Sequence, residues 1–170
     1  MKHVETIQVS TTVRVSPEEA YAFLRDFEHY SDYSKYVRAV EAQGPVGEGT
    51  EYEIRFGWWR LSYAARTVVT RETPPESIKW KVLTEIDAHG RWEIEPAEGD
   101  GDASTVSLTV TYDPDSASPS VIDVPKIVPF DWVVDRVIGL IEEEGKRVVR
   151  RVVEDLEGES RPIKLVITRR

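Results

Sequence analysis

Apolar and polar residues alternate in short runs along most of this chain. Ile7, Val9, Val13 and Val15 alternate with Gln8, Ser10, Thr12 and Arg14, a period of two that predicts a half-buried strand. Ser16-Pro17-Glu18-Glu19 then ends the strand and opens a helix. Ser16 suits the N-cap, Pro17 the first helical position, and Glu19 completes a capping box. Ala20, Phe23, Leu24 and Phe27 predict the buried stripe of that helix. Tyr30, Tyr33 and Tyr36 follow at a spacing of three, which predicts a second short helix or a 3₁₀-like turn within Glu28–Tyr36.

Strands fill the middle of the chain. Val40 and Ala42 lead into the glycine-rich breaker Gly44–Gly49. Tyr52, Ile54 and Phe56 alternate with Glu51, Glu53 and Arg55, Gly57-Trp58-Trp59-Arg60 reads as a hairpin turn, and Leu61, Tyr63, Ala65 and Val69 carry the pattern on to Arg71. Thr73-Pro74-Pro75-Glu76 breaks it. Ile78, Trp80 and Val82 predict the next strand, Asp87–Gly90 a turn, and Trp92 and Ile94 the strand beyond. After the acidic loop Glu98–Asp102, Val106, Leu108, Val110 and Tyr112 alternate with Thr105, Ser107, Thr109 and Thr111. Seven strands with one apolar and one polar side predict an antiparallel sheet with one wet face.

Ser116–Pro129 is irregular in pattern, and Pro129 is placed to open a last helix. Phe130, Val133, Val134, Val137, Ile138, Ile141, Val148, Val149, Val152 and Leu156 recur at three and four. They predict a helix over Pro129–Leu156, roughly 28 residues and about 42 Å long. Glu142/Lys146, Glu143/Arg147 and Arg151/Asp155 are four apart and suit its outer face. Gly158 and Pro162 end it, and Ile163, Leu165 and Ile167 form a short alternating tail. The expected organisation is one domain over 1–158 and a C-terminal tail over 159–170. One sheet with one dominant helix has a curved apolar face and too little helix to fill it. That geometry argues for a small-molecule cavity.

Composition narrows the partners. The 170 residues carry a net charge of -9, with 15 Arg and 7 Lys against 31 acids. Nucleic acid demands clustered cations, so no nucleic-acid partner is expected. Abundant acids, scarce lysine and absent cysteine resemble the cytosolic proteins of salt-loving microbes, and high salt screens the self-repulsion of such a surface. The lack of cysteine excludes disulfides and thiolate chemistry and fits a cytoplasmic location. No run approaches the roughly 20 apolar residues of a membrane span, and the N-terminus shows no secretory signal pattern.

The order strand, two short helices, six strands, long helix resembles the START-like helix-grip superfamily. More narrowly it resembles the polyketide cyclase/dehydrase branch of SRPBCC type, which includes coenzyme Q-binding START-like proteins. Ser16-Pro17-Glu18-Glu19-Ala20-Tyr21, Leu24-Arg25-Asp26-Phe27-Glu28-His29-Tyr30 and Tyr33-Ser34-Lys35-Tyr36-Val37 carry the resemblance. It implies an α+β fold: a seven-stranded curved antiparallel sheet wrapped around a long C-terminal helix, with two short helices after strand 1. It also implies a cavity between sheet and helix for a lipid, a quinone or a polyketide-like compound.

Candidate wall residues are Tyr52, Ile54, Phe56, Tyr63, Trp80, Trp92 and Leu108 from strands, faced by Val134, Ile138 and Ile141. Tyr33 and Tyr36 are candidate gates. Packing as plain core, or as a lid over its edge, is the competing role for each. His3, His29 and His89 lack metal-ligand spacing, and no nucleophile elbow, phosphate loop or His-Glu-x-x-His is present, so neither metal nor cofactor is expected. His29, between Asp26 and Asp32, is read as a surface histidine. Asp26 is read as satisfying backbone donors at the helix end. Strict alternation puts Arg66 and Arg71 on opposite faces, so at most one points inward. Trp58 and Trp59, in the expected hairpin tip, either touch a membrane surface or partner transiently or fold over the cavity mouth. The leading expectation is a carrier or binder of a small apolar or amphipathic ligand. The alternatives are a polyketide cyclase or dehydratase using tyrosines with one Arg or Asp, and a protein-interaction module.

Overall fold

Eight strands form one antiparallel sheet in the order β2-β3-β4-β5-β6-β7-β1-β8. The computed structural model describes residues 4–58, 61–84, 87–98, 102–113, 143, 147–158 and 166–169. The elements are β1 (Glu5–Val13), α1 (Pro17–Arg25), a 3₁₀ helix (Phe27–Asp32), β2 (Val37–Ala42), β3 (Glu51–Trp58), β4 (Leu61–Thr73), β5 (Ser77–Val82), β6 (Ala88–Pro96) and β7 (Ser104–Tyr112). Residues 147–157 form helix α2, and β8 (Val166–Arg169) follows it.

Local chemistry explains the first corner. The Glu19 amide donates to Ser16 Oγ at 3.3 Å, with Pro17 at the start of α1. This is the predicted N-cap. The predicted stripe is buried at Ala20, Leu24 and Phe27, whereas Phe23 is half-buried and Tyr21 is buried beside them. Asp26 closes α1 through its backbone amide to the Phe23 carbonyl, and its carboxylate pairs with His29 Nε2 at 3.3 Å. The expected side-chain cap at Asp26 is absent, and its carboxylate turns to His29 instead.

Strand pairing corrects the two turns. Gly57 and Trp58, expected in a four-residue turn, lie in β3 opposite Ser62 and Leu61. Trp59 and the Trp58 side chain lie outside the described residues, and so does any membrane role for them. The turn expected over Asp87–Gly90 gives way to strand at Ala88. Gly90 is a close-approach glycine, not a turn residue: a Cβ there would lie 2.8 Å from the Thr109 carbonyl oxygen and would overlap the Trp80 indole.

One bulge redirects several side chains. The register of β4 against β5 shifts between Val69 and Arg71, so Thr70 is the extra residue. Val69 then faces Trp80, Arg71 faces Lys79 and Glu72 faces Ile78. Arg71 is turned outward together with Arg66, which pairs with Glu51. Neither arginine points inward, and Glu72 does.

The core lies between this inner face and the helices. Ile78 and Val153 are essentially inaccessible, with Tyr52, Val69, Ile94 and Val13 nearly so. Val149, Val153 and Leu156 bring α2 onto that cluster. Val153 falls outside the predicted stripe yet is the residue of α2 buried in the core. Two bonds fix the α2 end and the β7 start: the Arg14 amide donates to Glu157 Oε2 at 2.9 Å, and Ser104 Oγ donates to the Val15 carbonyl at 2.8 Å. Val166–Arg169 adds an eighth strand, antiparallel to β1.

Candidate functional site

Residues directly opposite one another in a ladder share a face. Tyr52 faces Thr67, Ile54 faces Ala65 and Phe56 faces Tyr63. Val69 faces Trp80, and Trp92 lies between Ile78 and Leu108. Tyr52, Ile54, Phe56, Tyr63, Trp80, Trp92 and Leu108 therefore share the inner face. Val134, Ile138 and Ile141 lie outside the described residues.

The inner face is closed at one end and open at the other. At the closed end Tyr52 is 1% exposed, with its ring 4.8 Å from Phe27. Phe27 lies 5.0 Å from Tyr30, whose ring meets Trp92 edge-on at 6.3 Å. Burial pushes the Tyr30 hydroxyl far above its ordinary pKa, and that hydroxyl donates to the Leu24 carbonyl at 2.5 Å. At the open end Phe56 is 38% exposed and stacks on Tyr63 at 6.4 Å. The Tyr63 hydroxyl shares a 2.6 Å hydrogen bond with Thr84. Tyr36 belongs to this end, because its carbonyl accepts from the Gly57 amide at 2.9 Å and its ring lies 5.2 Å from Lys35 Nζ.

Tyr33 is fastened to α2. Its hydroxyl donates to Asp155 Oδ2 at 2.7 Å, and Arg151 donates to the Tyr33 carbonyl at 3.2 Å and the Asp32 carbonyl at 3.1 Å. Burial, then the hydrogen bond to Asp155, pushes the Tyr33 hydroxyl up to about 12. Arg151 and Asp155 are four apart on α2, as the outer-face pairing required, but both reach across to the 3₁₀ helix.

A polar group that the pattern did not reveal sits at the closed end. Arg25 Nε donates to Glu72 Oε1 at 2.9 Å, where the Glu72 side chain is only 12% exposed. A second Arg25 nitrogen donates to the Val46 carbonyl at 3.1 Å. The hydroxyls of Tyr21 and Tyr52 are buried and find no acceptor among the described residues. Burial raises both pKa values, with the charge of Glu72 next for Tyr21 and that of Glu28 next for Tyr52. Both hydroxyls therefore stay protonated donors at neutral pH. The hydrogen bond to Glu72 raises the Arg25 pKa in turn. Only the doubled apolar step Val68-Val69 hints at the bulge that turns Glu72 inward. His29 and Asp26 stand apart from this group as a largely exposed pair. Among the described residues no cluster of acids or histidines has metal-binding geometry, and no helix is long and apolar enough to cross a membrane.

A family model described as polyketide cyclase / dehydrase and lipid transport matches residues 5–157. The chain belongs to this family. Solved structures carry the same architecture. A START superfamily protein from Mycobacterium smegmatis superposes with a TM-score of 0.63 at 15% identity, covering 89% of this chain and 99% of that one. A Thermus thermophilus protein gives 0.63 at 16%, covering 90% and 97%. The Zhui aromatase/cyclase from Streptomyces gives 0.65 at 15%, covering 91% and 94%. At such identities the likeness establishes the helix-grip fold. No curated protein matches the chain.

Proposed function

We propose that this family member binds a small amphipathic molecule between the inner sheet face and α2. The supporting observation is the burial gradient along that face. Tyr52 is closed over by the 3₁₀ helix, whereas two side-chain rungs away toward the hairpin Phe56 is exposed and stacks on the half-buried Tyr63. Exposed stacked aromatics at the end of an apolar wall suit the entry of a flat or chain-like apolar body. Tyr21 and Tyr52 offer two hydroxyl donors for the polar end of such a ligand. Quinones, isoprenoid lipids and polyketide-like compounds fit this chemistry. The test is quenching of tryptophan fluorescence by a short-chain benzoquinone. Saturable quenching that weakens in Trp80→Leu and Trp92→Leu supports the proposal, and non-saturable quenching refutes it.

The polar group favours a cyclase or dehydratase as the second reading. Two protonated tyrosines beside an arginine–glutamate pair are convergent donors of the kind that polarise a ligand carbonyl. Tyr21→Phe and Tyr52→Phe decide between the two. Loss of turnover of a linear poly-β-ketone mimic with retained binding establishes the enzyme. Binding without turnover in the parent chain establishes the carrier.

A further inference from the structure

The outer face of the sheet carries a feature that the inner-face reading does not use. Lys79 stands directly opposite Arg91, and Lys81 directly opposite His89. Arg71 stands opposite Lys79 on its other side. Five basic side chains thus occupy two adjacent rungs of three neighbouring strands, in a chain whose net charge is -9. Lys79 thus meets a like charge on both sides, which destabilises a ladder. With 31 acids available, such rungs are easily neutralised, yet among the described residues only Glu93 answers, on Arg91 Nε.

Four of these side chains, Lys79, Lys81, His89 and Arg91, border a depression of about 280 Å³ that Thr109 and Thr111 line with them, and Thr70, Gly90 and Trp80 complete its wall. The four basic residues are exposed, whereas Thr109 is only 6% exposed at the base. Gln8 Nε2 donates to Thr109 Oγ1 at 3.4 Å, which leaves the Thr109 hydroxyl proton free to be donated elsewhere. Thr111 Oγ1 shares a 3.2 Å hydrogen bond with Thr6. Cations around the rim, a hydroxyl donor at the base and a confined volume are complementary to a compact ligand bearing several negative oxygens.

We infer that this depression, whose basic rim lies on the outer face, is a second binding site for a compact polyanion of the diphosphate or polycarboxylate class. At about 280 Å³ the volume falls just below the range typical of pockets for drug-sized ligands, about 300–1,000 Å³, and suits a smaller one. A phosphoryl group reaches the site either on a free small molecule or on a lipid headgroup, and the proposal is the free small molecule.

The probe is inorganic pyrophosphate, titrated into the full chain in about 0.1 M and about 1 M KCl, where the Debye length falls from ~10 to ~3 Å. The expected result is saturable one-to-one binding at the lower salt, weaker at the higher, with amide shifts at Lys79–Lys81 and His89–Arg91. Lys79→Gln combined with Lys81→Gln is expected to weaken binding by about tenfold or more, as for lost charge-assisted contacts. Arg66→Gln, on the same face but paired with Glu51, is expected to bind as the parent does. Absence of saturation, an unaffected double variant, or shifts confined to other strands overturns the proposal. So does sedimentation with phosphatidylserine vesicles without binding of free pyrophosphate. Because both probes act on exposed residues of the outer face, failure here leaves the inner-face reading intact.

Discussion

The Tyr33 hydroxyl reaches Asp155 Oδ2 at 2.7 Å, joining the 3₁₀ helix to α2 across 122 residues of sequence. That bond sets a pH dependence. The Tyr33 pKa is raised to about 12 in the folded chain, from an ordinary value of 10.0. The protonated form is thus favoured by folding, so its contribution is fully present below pH 10 and is lost as pH rises toward 12. Tyr21 and Tyr52 shift in the same direction and add to the alkaline loss. Tyr33→Phe is expected to lower stability at neutral pH by about 1 kcal/mol, as for one partly exposed hydrogen bond. It is also expected to flatten the alkaline slope, read by urea denaturation at stepped pH.

Gly90→Ala tests the close approach to Trp80. The new methyl group has no room between the indole and the Thr109 carbonyl, so a loss of about 1–3 kcal/mol is expected, as for overpacking. In a Trp80→Leu background the same change is expected to cost much less. Equal costs in both backgrounds, measured as a double-mutant cycle, count against this account.

Tyr52→Phe separates folding from binding. An unsatisfied buried hydroxyl costs about 1–3 kcal/mol, so the variant is expected to be at least as stable as the parent. If the hydroxyl serves a ligand oxygen, affinity for an oxygen-bearing probe falls by about tenfold while affinity for its deoxy analogue is unchanged. Thermal midpoints and paired probe titrations provide both readouts.

The acidic composition sets an expectation about salt. With a net charge of -9, unscreened repulsion destabilises the chain in dilute buffer. Thermal midpoints are expected to rise from dilute buffer to molar KCl. A flat or falling series refutes the salt-loving reading.

Period-two patterning made the sheet legible because each strand buries one side only. It put the seven strand-borne candidates, from Tyr52 to Leu108, on a single face, as the register has them. The N-cap was equally legible, since Ser16 and Glu19 act within four residues. The bulge at Thr70 was not, because an inserted residue leaves composition and spacing nearly unchanged while inverting every side chain beyond it. Strict alternation therefore put Arg71 on the wrong side relative to Arg66, and it gave no sign of the Arg25–Glu72 pair. Tyr21 escaped notice because a helix stripe is broader than the positions at three and four that define its centre. The Tyr33–Asp155 bond joins segments too distant for any local pattern to couple.

The position of β1 has a consequence for how the molecule is assembled. Its two neighbours in the sheet are β7 and β8, the last two strands among the described residues. Every other adjacent pair of strands is consecutive in sequence and zips as its hairpin emerges. During synthesis β1 therefore waits, its backbone donors and acceptors held by water, until Ser104–Tyr112 has left the ribosome. The β1–β7 pairing is thus a long-range contact of the kind whose loop-closure cost slows folding and leaves a strand edge open to other chains meanwhile.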